Sequence, residues 1–275
     1  MNNHFSFLRY CLLLRKYLKE NSKSFILILI AGFGIIFLVY GIMIVSSFHS
    51  SFPEGSRKIV FTAGLLFGGT LFSASFYSFF STQAKGIQYL LLPATNGEKL
   101  LIGFFFTQIV YLSIYLLGFM GIDFLLCNIY NKFVAIPDWV HEWELQYFKA
   151  KYIYASDTLL LKEMIVIYFI LTSIAHFGSL SFTKNAYVKT SIIFIVLLVG
   201  VIYINNKMLI MIIPEEIMPH GKYFQDSFRI GPTKTPTGII ALPESWQTTV
   251  IWFIPIFLYI SFWTASYFKL KEKQV

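Results

Sequence analysis

Few residues in this chain could act on a substrate. Adjacent glutamates inside a membrane helix can activate water for peptide hydrolysis when an arginine and histidines converge on them. Glu215-Glu216 instead follows Pro214 in a proline-rich stretch, a setting that does not support that chemistry. Glu142 and Glu144 stand two residues apart, so on a helix they face different sides and make no acid–base pair. The histidines (His4, His49, His141, His176 and His220) are scattered and form no metal set, and Cys11 and Cys127 have no metal-ligand spacing. No phosphate-cradling Gly-x-x-x-x-Gly-Lys-[Ser/Thr] loop is present, nor His-Glu-x-x-His, nor Gly-x-Ser-x-Gly. The chain is therefore expected to carry no catalytic residues, no metal and no cofactor, and to hydrolyse no ATP by itself.

The elements that hold these residues are apolar. The 275 residues are 56% hydrophobic and 13% charged, with 30 Phe and 17 Tyr. A soluble domain carries roughly 25% charged residues, so this composition cannot cover a water-facing surface and the chain reads as an integral membrane protein. In that setting the net charge of +8 is accounted for by positive-inside bias and attraction to anionic lipid, without nucleic acid.

The fold expected is an all-α integral membrane protein with six transmembrane helices. Residues 1–24 interleave Arg9, Arg15, Lys16, Lys19 and Lys23 with apolar side chains at broadly helical spacing, which predicts an amphipathic interfacial helix. The spans are expected at about 25–48, 59–80, 100–127, 163–182, 190–204 and 246–268, with loops over 128–162 and 205–245. The first exceeds the roughly 7–15 apolar residues of a signal peptide and is read as uncleaved. In the second, Gly64, Gly68, Ser73 and Ser75 form a small, polar face suited to helix packing, within this chain or with another.

Asp123, in the third span, would mark function by default, but solvation near the span's end accounts for it more simply. His176 in the fourth is expected to bond a neighbouring helix. Ile136, Trp139, Val140, Trp143 and Tyr147 recur at helical spacing behind Pro137, as in a surface helix at headgroup depth. Asn205-Asn206-Lys207 interrupts the fifth apolar run before Met208–Ile213; either the helix continues or that patch turns back into the interface.

Lys and Arg far outnumber acids over residues 1–24, 81–99, 184–189 and 269–275, and balance them on the other side. The positive-inside rule then puts both termini in the cytoplasm, together with Lys85–Lys99. This break between two spans is semi-polar. Ile87, Tyr89, Leu90, Leu91 and Leu92 form an apolar block, while Thr95 and Glu98 fit a capping box that starts a helix near Asn96. Such a segment either docks a partner or anchors two helix ends at the surface.

Taken together, the basic amphipathic N-terminus, six spans, Ser-rich second span and Lys85-Gly86-Ile87-Gln88-Tyr89-Leu90-Leu91-Leu92-Pro93-Ala94 through Glu98-Lys99 resemble the membrane (permease) subunit of a type-2 ABC transporter. The sharp part covers residues 73–99. The resemblance implies an exporter permease of the bacterial cytoplasmic (inner) membrane, working as a homodimer or with a second permease among membrane lipids. A separate ABC ATPase would dock through Lys85, Gln88, Tyr89, Leu90, Leu91, Leu92, Glu98 and Lys99. The large loop between spans three and four departs from the family, which concentrates external structure between spans five and six. The alternative is a non-transporting membrane scaffold or sensor whose aromatic external loops bind a partner.

Overall fold

The computed structural model describes residues 5–47, 52–134, 149–153, 158–182, 185–212, 227–230, 238–241 and 244–273. These are mostly helical, with one short antiparallel ribbon, β1 (Ser227–Ile230) paired with β2 (Gly238–Ala241), inside the expected loop over 205–245. Among the described residues six helical stretches are long and apolar enough to cross a membrane: Phe7–Ser46, Glu54–Phe80, Asn96–Phe133, Leu161–Ser181, Ala186–Ile204 and Trp252–Glu272. Each expected span lies largely within one of them.

Helix α1 runs unbroken over Phe7–Ser46. Its 40 residues extend about 60 Å at 1.5 Å per residue, twice the roughly 30 Å of a bilayer core. The boundary expected at residues 24–25 leaves no mark on the backbone; the basic segment and the first span are one rod. The second stretch comprises α2 (Glu54–Ala63), a π turn (Gly64–Gly68) and α3 (Gly69–Ser75), then a 3₁₀ turn (Ser78–Ser81). Helix α4 (Gln83–Leu90) leads to α5 (Asn96–Phe104), a second π turn (Phe105–Val110) and α6 (Tyr111–Phe133). Helices α7 (Thr158–Ser181), α8 (Ala186–Ile212) and α9 (Glu244–Glu272) complete the bundle, with α7 packed between α3, α8 and α9. Because α8 continues through Asn205-Asn206-Lys207 to Ile212, residues 208–212 do not turn back into the interface.

Two clusters of buried side chains occupy opposite ends of this bundle. One gathers Tyr40, Phe52, Phe61, Phe119, Cys127, Tyr130 and Ile153; the other Leu13, Phe76, Tyr77, Ile102, Leu180 and Leu270. Leu13 and Tyr40 lie on the same rod, which separates the ends by about 40 Å. The segments sorted by charge thus also sort in space: the start of α1, α4, and the ends of α7 and α9 lie together.

Within the first cluster, tyrosines bond the backbone of neighbouring helices. A wide π turn breaks the regular i→i−4 ladder and leaves carbonyls to be satisfied from elsewhere. The Tyr115 hydroxyl donates to the Phe61 carbonyl at 2.8 Å and Tyr111 to Gly64 at 3.1 Å, while Tyr168 donates to Thr107 in the second π turn. Gly64 and Gly68 are what let these rings close in: an added Cβ at Gly64 would meet the Tyr115 hydroxyl, and one at Gly68 the Tyr111 hydroxyl. The Gly-x-x-x-Gly face therefore packs within this chain. Ser73 joins in, donating to the Thr172 carbonyl at 2.7 Å, and Gln108 pairs with Thr172 at 3.0 Å. Ser75 does not: it is exposed on the helix side and bonds its own chain at Phe72.

Candidate functional site

The 3₁₀ turn at Ser78–Ser81 redirects the chain out of the bundle, and α4 begins two residues later. Gly86 makes the close approach possible, since a Cβ there would lie 3.0 Å from the Phe80 ring. Tyr89 folds inward onto Phe79 (4.6 Å between centroids) and edge-on against Tyr77 and Phe80. Burial pushes the Tyr89 phenol above its usual range, with Tyr77 pulling the other way. Thr95 caps α5 as expected: its hydroxyl accepts from the Glu98 N–H at 3.3 Å, and the Glu98 carboxylate accepts from the Thr95 N–H at 2.8 Å.

Glu98 does more than cap. Its second carboxylate oxygen accepts from the Ser6 N–H at 2.7 Å and from the Arg9 guanidinium at 3.0 Å, so one fully buried carboxylate joins the starts of α1 and α5. Lys99 is buried as well; its ammonium donates to the Leu90 carbonyl at 2.8 Å, closing the end of α4, and its own carbonyl accepts from Tyr89 at 3.3 Å. Lys273, at the end of α9, lies 4.3 Å over the Phe80 ring. Helix α4 is thus fastened to the second span through Tyr89 and to α5 through Lys99, while Glu98 ties α1 to α5.

The eight residues assigned to docking therefore divide. Lys85, Gln88 and Leu91 are exposed, and Tyr89, Leu90 and Leu92 half-buried, whereas Glu98 and Lys99 are fully buried and cannot meet a partner directly. The chain's outward apolar groups here are Leu91, 77% exposed, and Ile87, 57% exposed. The phase of an eight-residue helix with apolar side chains on both faces is what the sequence left undetermined. Arg9, the partner of Glu98, carries no local signal beyond its place in a basic segment.

At the opposite end Asp123 is buried, contrary to the expectation of solvation. It pairs with Arg57 at 3.0 Å and accepts from the Tyr40 hydroxyl at 3.1 Å and the Ile153 N–H at 3.0 Å. Arg57 also donates to the Lys151 carbonyl at 2.9 Å and stacks over Phe52 at 4.7 Å. Residues 149–153 fold back over the end of α6 and exclude water from the pair. Sequence reading missed Arg57 because its partner lies 66 residues away.

His176 departs from expectation too: among the described residues neither ring nitrogen has a hydrogen-bond partner, and the ring is packed between Trp263 (4.5 Å) and Tyr77 (4.9 Å). Among the described residues no group of His, Cys, Asp and Glu could hold a metal ion. The expected surface helix at Ile136–Tyr147 and the pair Glu215-Glu216 lie outside the described residues.

The class these features define is a multi-pass membrane protein with six candidate spans and a clasped helix at one end. The chain matches no family model, no curated protein and no solved structure.

Proposed function

We propose that this chain is the permease subunit of an ABC-type exporter of the bacterial inner membrane. Both termini and α4 face the cytoplasm, two such subunits or this one with a second permease form the pathway, and a separate ATPase docks on α4. One observation carries the reading. Helix α4 and its cap present Lys85, Ile87, Gln88 and Leu91 outward, while Lys99 bonds its end to α5 and Tyr89 packs it against Phe79 of the second span. A surface element fixed to several spans transmits a push; a loosely tethered loop does not. The spans offer aromatic and aliphatic surface and few charges, which fits a lipophilic cargo. Residues Tyr89, Glu98 and Lys99 serve as the clasp and Lys85, Ile87, Gln88 and Leu91 as the contact.

A mild-detergent pull-down of the tagged protein from its own host, with mass spectrometry, tests this. The expected result is a stoichiometric ATP-binding subunit, lost from the Ile87→Asp/Leu91→Asp variant while that variant still inserts and elutes normally. Recovery of the chain alone, or with envelope proteins only, overturns the reading.

A further inference from the structure

The Glu98 clasp ties α1 to α5 near residues 6–9 of the rod. Further along, α1 meets the second span through Tyr17–Phe76 (4.8 Å between centroids) and Phe25–Phe72 (5.4 Å), and beside these contacts α1 and the α3–α4 segment line an open cleft of about 640 Å³, within the roughly 300–1,000 Å³ of small-molecule sites. Its two ends differ in chemistry. Lys16 and Asn21 from α1 face Lys85 and Gln88 from α4 at one end, and Phe25 and Ile28 face Phe72 at the other. The change follows the axis of α1, where Lys16 to Ile28 spans about 18 Å, the reach of a headgroup plus part of an acyl chain. Glu20, the one carboxylate on the described walls, meets Lys16 at 3.9 Å. Both side chains are well exposed, and such a pair contributes little, so the lysines keep the polar end cationic. Three hydroxyls, Ser24, Ser75 and Ser78, mark the passage between the ends.

We infer that this cleft is a binding site for an anionic amphiphile. Its headgroup lies between Lys16 and Lys85, its chain against Phe25, Ile28 and Phe72. A molecule seated there touches α1 on one wall and α4 on the other, so its presence sets how far α4 stands from the rod. The inference is independent of the exporter reading, since no ATPase enters its test.

Full-length protein is reconstituted in phosphatidylcholine vesicles doped with a phosphatidylglycerol that carries a diazirine midway along one acyl chain. After illumination, labelled peptides are mapped. Label is expected to concentrate around Phe25–Ile28 and Phe72–Phe76, and to fall about fivefold for each of Lys16→Gln and Lys85→Gln, the effect of one lysine on an anionic headgroup. The same diazirine on phosphatidylcholine should give only diffuse labelling. Ser75→Trp, which fills the cleft from an exposed position, should lower labelling with both lysines intact. Equal labelling from the two lipids, or labelling indifferent to the lysines, overturns the inference. Complete protection by inorganic phosphate alone, undiminished in Ser75→Trp, also overturns it, because the site would then take a free anion without a chain.

Discussion

Each end of the bundle is pinned by one buried carboxylate, and the two are used in opposite ways. Asp123 sits in a dry pocket with its cation equally buried, beneath Phe52, and its bonds reach α1, α2, α6 and the segment around Ile153. Glu98 is just as buried, but Arg9 on the other side is 28% exposed, and two of the three bonds the Glu98 carboxylate accepts come from backbone N–H groups at helix starts. The first arrangement is a plug whose members depend on one another. The second is a fastener with one face toward water, close to an open cleft. Rigidity at one end and access at the other follow from where the cation was placed.

Breaking the plug should have the largest effect. Asp123→Ala strands Arg57 in an apolar setting, and removing one member of a buried pair costs about 3–5 kcal/mol; a collapse of the melting temperature in detergent is expected, with the double change Arg57→Met/Asp123→Leu recovering much of it. A double variant as unstable as Asp123→Ala would show that the pair contributes more than mutual neutralisation.

At the fastener, Glu98→Ala leaves Arg9 able to turn to water and removes a cap and charged hydrogen bonds worth about 1–3 kcal/mol. A smaller thermal shift than at Asp123 is expected, together with faster proteolysis around α4. Equal shifts at the two sites would erase the contrast between them.

Between the ends, Gly64→Ala drives a methyl group into the Tyr115 hydroxyl, an overpacking costing about 1–3 kcal/mol. Tyr115→Phe in the same chain should restore part of the loss, although it removes the hydroxyl's bond to the Phe61 carbonyl; Gly32→Ala, with nothing within 4 Å, serves as the neutral control. The smallest effect on stability belongs to Ile87→Asp/Leu91→Asp, within about 0.5 kcal/mol for exposed positions, read by the same melting assay. A large loss there would mean that α4 is held by its outer face.

Much of this molecule is written locally. Six apolar runs, the fifth of them short for a bilayer, predict the helices, and the Thr95/Glu98 box predicts a helix start near Asn96, where α5 begins, because a cap involves only four neighbours. What escaped is whatever joins distant segments. Asp123 stands near the end of its span, where solvation is the local expectation; only Arg57 and the return of residues 149–153 make burial tolerable. The polar triplet at residues 205–207 resembles a break, yet asparagine and lysine only weakly disfavour a helix. The π turns carry no sequence mark at all, and so the tyrosine bonds that answer them were illegible. At α4 the sequence located the segment but not its outward face.

Each wide turn also holds one residue more than a regular helix needs. A residue is worth 100° of rotation on an α-helix, so the surplus at Gly64–Gly68 sets the azimuth of everything below it, and Ser73 meets Thr172 only in that setting. Deleting a single residue there would leave a sound helix whose lower half faces the wrong neighbour. Conversely, a surplus that migrated along the helix would turn one half against the other without breaking the rod, like a gear slipping by one tooth.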